Sequence, residues 1–176
     1  MTTRTFVLSV TGPDRPGIVA AVTGVLAGRG VNLEDAEMAI LRGHFAVVLV
    51  LTAPDDVDGG SLRAELEEAA ASIPLETVSL TEVPALPSAP AEPSHAITVY
   101  GADHPGIVHG VTSALAASGV NVVGLTTRVA GDIYAMMLEV ALPDGLDEAG
   151  VEGVLAKVAA EQGVDVSVRA IDADVL

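Results

Sequence analysis

The stretch GPDRPGIVAAVTGVLAGRGVN, residues 12–32, recurs without a gap as GADHPGIVHGVTSALAASGVN, residues 101–121. Thirteen of these 21 positions are identical. A duplication this plain sets the number of structural units before any local propensity is weighed. The register carries on beyond it, with Phe45 opposite Tyr134 and Leu49 opposite Leu138. Between the copies, Pro84, Pro87, Pro90 and Pro93 recur every third residue, as in a polyproline II spacer. A chain of PxxP ligand motifs has the same spacing, but a linker explains it more simply. The expected organisation is therefore a first unit at 1–83, a linker at 84–94 and a second unit at 95–176.

Each copy reads as strand, helix, strand, strand, helix, strand. In the first, Thr5 to Val10 is β-rich. Pro16 and Gly17 open a segment with Ile18, Val22, Val25 and Leu26 at helical spacing, and Gly28 and Gly30 close it. Leu33 to Leu41 and Phe45 to Leu51 are strand-like runs separated by Arg42-Gly43-His44, a hairpin spacing. A second helix is expected from Ser61, read as its N-cap, with Leu62, Leu66 and Ile73 inward. Leu75 to Val83 closes the unit. In the second copy the last strand alternates Val164, Val166 and Val168 with Asp165, Ser167 and Arg169. The fold class is α+β, with two four-stranded antiparallel sheets and helices on one face of each. Units of this size leave a sheet edge or face in need of a partner, so a dimer is expected.

Composition excludes several functions. Half of the 176 residues are hydrophobic, mean hydropathy is +0.53 and cysteine is absent, so a core forms without disulfides or thiolate metal sites. The formal net charge of −16 repels a phosphate backbone, which argues against direct nucleic-acid binding. The purest apolar run, Phe45 to Leu51, is far short of the roughly 18 residues a membrane helix needs. The opening MTTRTFVLSV has no long hydrophobic region of the secretory kind, so a cytoplasmic protein is expected. No motif implies catalysis, a cofactor or a metal. His104 and His109 stand on different helix faces, and Asp55, Asp56 and Asp58 lack the spacing of a calcium loop. RNA-recognition domains also run βαββαβ, but only two Phe, two Tyr and no Trp are available for base stacking.

The repeated chemistry lies in the turn G-x-D-x-P-G-I-V. Glycine allows close approach to the backbone, and free N–H groups at a helix start receive a small anion such as a carboxylate. Asp14 and Asp103 stand just before, where each can accept from an ammonium or simply form an Asx-turn and helix cap. Asn32 and Asn121 follow the helix-ending glycine and can both donate and accept. Glu34 and Asp35, present only in the first copy, read best as a solvated strand edge.

The element order with D-R-P-G-I-V and G-V-N resembles the ACT domain, a ferredoxin-like module, over nearly the whole chain twice. Within that family the tandem layout is similar to the glycine cleavage system transcriptional repressor group. The resemblance implies a non-catalytic regulator that binds a small amino acid of the glycine or serine type and acts through a protein partner. It implies ligand contacts at Asp14, Arg15, Pro16, Gly17 and Ile18 with Asn32, and at Asp103, His104, Pro105, Gly106 and Ile107 with Asn121, at an interface between modules. His104 in place of Arg15 makes the second turn less cationic. Alternatives are a ligand-free adaptor and a module serving a separate folate enzyme, since a similar turn precedes the catalytic domain of formyltetrahydrofolate deformylases.

Overall fold

Every second residue of His44–Pro54 is buried, from Phe45 through Val47, Leu49 and Leu51 to Ala53, and this alternation places one sheet face against helices. The computed structural model describes residues 3–71, 73, 75–84 and 92–171. It divides into two units, Met1–Ser88 and Ala89–Leu176. The first runs β1 (Thr3–Pro13), α1 (Ile18–Gly28), β2 (Asn32–Leu41), β3 (His44–Pro54), α2 (Gly59–Ala71) and β4 (Thr77–Val83). The second repeats this as β5 (His95–Ala102), α3 (Ile107–Ala117), β6 (Asn121–Ala130), β7 (Ile133–Ala141), α4 (Glu148–Gln162) and β8 (Val164–Ala170). Both sheets are antiparallel, in the orders β2-β3-β1-β4 and β6-β7-β5-β8, the ferredoxin-like arrangement expected from the repeat. Of the expected 84–94 linker, residues 85–91, with Pro87 and Pro90, lie outside the described residues.

The first core joins Phe6, Leu8 and Val10 of β1 to Ile18, Val22 and Leu26 of α1 and to Leu62 and Leu66 of α2. The spacing i, i+4, i+8 along α1 recurs in α3 as Ile107, Val111 and Leu115, each at most 1% exposed. Both helices stop alike. Gly30 takes φ 65°, its N–H bonds Ala27 O at 3.1 Å, and Val31 N bonds Leu26 O at 2.9 Å. Gly119, with φ 73°, and Val120 repeat the pattern onto Ala116 and Leu115. These are Schellman endings, with a buried valine completing each. They start β2 and β6 at Asn32 and Asn121, as expected.

Three local readings are corrected. The hairpin loop is two residues, because His44 already pairs with Leu41, and Arg42 and Gly43 take φ 52° and 81°. Ser61 is not the N-cap of α2. Asp58 holds that place, accepting from Ser61 N at 2.7 Å, and the serine hydroxyl bonds back to Asp58 O at 2.9 Å. Pro16 does not lie in the first helical turn, since α1 begins at Ile18 with Gly17 as its N-cap.

Candidate functional site

The β1–α1 turn is built by glycine in a conformation other residues adopt only under strain. Gly17 caps α1 with φ 98°, and Gly106 caps α3 with φ 105°. Neither helix has a side-chain cap or an acidic residue in its first turn. The first intrahelical bonds run from Ala21 N to Gly17 O and from Gly110 N to Gly106 O. The N–H groups ahead of them therefore lack the side-chain partner that most helices supply. Asp14 and Asp103 are exposed and do not act as caps. Their backbones are pinned to the neighbouring hairpins, by Asp14 N to Gly43 O at 2.8 Å and Asp103 N to Asp132 O at 3.0 Å.

Arg15 and Pro16 are exposed beside Gly17, and Pro105 is exposed beside Gly106, while Ile18 and Ile107 turn their side chains into the cores. The isoleucines thus offer only backbone N–H groups. Arg15 has no hydrogen bond or ion pair among the described residues, which leaves its guanidinium free. His104 is engaged on both sides, Nε2 against Gln162 O at 2.7 Å and Nδ1 against Pro105 O at 3.1 Å. A neutral imidazole can donate from one nitrogen only. The Gln162 carbonyl foremost, then that of Pro105, therefore raises the His104 pKa above its ordinary value. The second turn is accordingly less short of cationic character than the exchange of arginine for histidine suggests.

Asn32 and Asn121 are exposed at the far end of their modules. Asn32 pairs with Thr52, whereas the Asp14 turn adjoins Gly43 and His44 at the other end of β2. Ten strand residues separate the two ends by about 30 Å, too far for one small ligand to touch both within a module. The Asn32 side chain donates to Glu34 at 2.8 Å. Glu34 sits at a β-bulge between Leu33 and Asp35, repeated in β6 between Val122 and Gly124. Glu34 and Asp35 are exposed, in keeping with a solvated edge.

A cleft of about 520 Å³ opens on the first turn and is floored by Met38, Ile40 and Phe45, with Val19 and Arg15 at its sides. Its counterpart, about 540 Å³, has Tyr134 with His104, His109 and Val108. The Tyr134 hydroxyl is buried and has no hydrogen-bond partner among the described residues. Burial, helped by the charge of Asp103, raises its pKa. Sequence reasoning missed Met38, Ile40 and these two aromatics as cleft residues. The Phe45–Tyr134 correspondence was the available signal, because both stand within two residues of the hairpin to which the turn is pinned, on the buried face of their strands. No group of three or more metal-ligating side chains occurs among the described residues, and no helix there is long and apolar enough to cross a membrane.

Two βαββαβ units, each with an uncapped glycine corner above a cleft, define a tandem ferredoxin-like protein. The ACT domain family matches residues 4–79 and 96–169, and the chain belongs to that family, once in each half. It is 32% identical over 164 residues to a phosphoserine phosphatase of Mycobacterium tuberculosis, which covers 92% of this chain but 40% of that enzyme. A UPF0237 protein of Methanopyrus kandleri is 40% identical over 73 residues, 41% of this chain and 81% of its own length. Among solved structures, an unknown protein from Galdieria sulphuraria is 32% identical with a TM-score of 0.79, covering 97% of this chain and 100% of its own. A candidate glycine cleavage system transcriptional repressor shares the fold at 16% identity and TM-score 0.70, covering 98% of this chain and 99% of its own.

Proposed function

We propose that the chain is a non-catalytic regulator that binds a small amino acid at its glycine corners, in the cytoplasm, and passes the binding on to a protein partner. The observation that carries this reading is the pair of left-handed glycine N-caps without side-chain caps. Such a corner offers backbone donors to a carboxylate, and the exposed Asp14 or Asp103 beside it offers an acceptor to the ammonium. The net charge of −16 favours a protein partner over nucleic acid.

Each site is completed by a second copy of the chain. The edge strand β2 is exposed at every position, with Met38 and Ile40 each 49% and Leu41 63% exposed. An unpaired, partly apolar edge favours pairing with another strand. Antiparallel pairing of two identical β2 edges sets the first residue of one beside the last residue of the other. Asn32 of one copy then approaches the Asp14–Ile18 corner of its partner, resolving the separation within a module. A second reading, tandem modules serving a catalyst, is favoured by the likeness over 92% of this chain to a phosphatase of which it spans 40%.

Thermal melts against a panel of amino acids test the first reading. An amino acid at a hundred times its dissociation constant adds about 2.7 kcal/mol, which raises the melting point by several degrees. A panel without any shift refutes amino-acid binding and leaves a ligand-free adaptor.

A further inference from the structure

The two corners share their backbone and differ in what lies beneath it. In the first module Phe45, 2% exposed, joins Met38 and Ile40 as apolar residues of a cleft that Asp14, Arg15 and Thr23 also line. In the second, Tyr134, 6% exposed, stands at the same place, and its hydroxyl is buried without a hydrogen-bond partner among the described residues. A phenol normally pairs when buried, and an unpaired one destabilises the empty protein, so this oxygen calls for an explanation. Asp103 is near enough to influence the phenol but does not bond it, and His104 is occupied by two carbonyls. His109, the other polar side chain of the cleft, is exposed and faces Ser113 at 3.3 Å.

We propose that the two modules have divergent specificity, the second taking an amino acid with a polar side chain of the serine class through the Tyr134 hydroxyl, and the first an apolar one of the alanine class over Phe45. This rests on the reading of the corners as amino-acid receptors and adds what distinguishes them. The backbone donors of either corner hold the common carboxylate, so selectivity falls to the cleft floor. A side-chain hydroxyl carried down to the Tyr134 floor of the second cleft supplies the missing partner of that phenol. A methyl group in its place leaves that partner missing, and a site built around a buried polar group discriminates strongly on this basis. Over Phe45, Met38 and Ile40 the preference reverses, because these three offer a hydroxyl no polar group and Thr23, which also lines the cleft, already donates its hydroxyl hydrogen to Val19 O at 2.8 Å.

The test uses the full chain, labelled with nitrogen-15 and titrated separately with L-serine and L-alanine. L-serine is expected to shift the amides of Gly106–His109 at lower concentration, and L-alanine those of Gly17–Ala20. Tyr134→Phe should weaken the L-serine response at least tenfold while leaving the L-alanine response within twofold. The same variant should melt at or above the wild-type temperature without ligand, since it removes an unpaired buried oxygen. Both corners answering both amino acids alike, or Tyr134→Phe leaving the L-serine midpoint unchanged, overturns the divergence alone. A marked fall in the melting point of Tyr134→Phe overturns it too, by showing that the hydroxyl has a structural partner. Silence of both corners toward every amino acid of the panel overturns the receptor reading and this inference with it.

Discussion

Replacing Gly17 by alanine separates the conformation of the corner from everything else about it. At φ 98° an L-residue is strained by about 1–3 kcal/mol. A Cβ built there meets nothing within 4 Å, so steric crowding adds nothing. Alanine also narrows the unfolded ensemble, which offsets about 0.4–1 kcal/mol of the strain. The net loss is about 1 kcal/mol, or roughly 4–8 °C in a unit of this size. Gly106→Ala, at φ 105° and with its Cβ 3.5 Å from Gln162 Oε1, should lose a similar amount in the second module. Gly28→Ala is the control, because Gly28 has equally open surroundings but ends α1 without a positive φ, and it should be neutral or slightly stabilising. Scanning calorimetry of the three variants measures the differences. A Gly17→Ala protein as stable as Gly28→Ala would refute the claim that the corner depends on a left-handed backbone.

Other outcomes follow from individual contacts. Asp58→Ala should cost about 1 kcal/mol in urea unfolding and Ser61→Ala only a few tenths, reversing the order that sequence reading suggests. The His104 contacts stabilise the protonated ring, so their contribution is full below about pH 6.5 and is lost as pH rises through the raised value. His104→Gln should therefore reduce the fall in urea midpoint between pH 6 and pH 8, and an unchanged fall would show that the ring is not charged there. Met38→Lys with Ile40→Lys should leave monomer stability within about 0.5 kcal/mol, since both residues are half exposed, yet abolish the proposed pairing of β2 edges, giving a monomer where analytical ultracentrifugation of the unaltered chain is expected to give a dimer.

Much of the fold was legible because the duplicated segment carries its own punctuation. Gly30 and Gly119 are the left-handed residues that end the helices, and Val31 and Val120 are their buried companions, so the sequence pattern and the Schellman geometry coincide. Period-two alternation likewise located β8, whereas β3 was legible as an unbroken apolar run whose alternation appears only in its burial. Caps were harder to read, because Asp58 and Ser61 are both good capping residues and only the backbone path selects between them. The candidate site was legible as residue types but not as geometry. That Asn32 stands at the opposite end of β2 from Asp14 follows from strand direction, which a motif does not express. Tyr134 escaped notice because a tyrosine opposite a phenylalanine reads as ordinary core, and only its environment shows the hydroxyl to be alone.

Backbone amide shifts during amino-acid titration of the nitrogen-15-labelled chain report on the corners themselves. Saturable shifts centred on Gly17–Ala20 or Gly106–His109, accompanied by the side-chain amide of Asn32 or Asn121, are the expected result. Spectra that stay unchanged at those amides while glycine, serine and alanine are raised to tens of millimolar would contradict it.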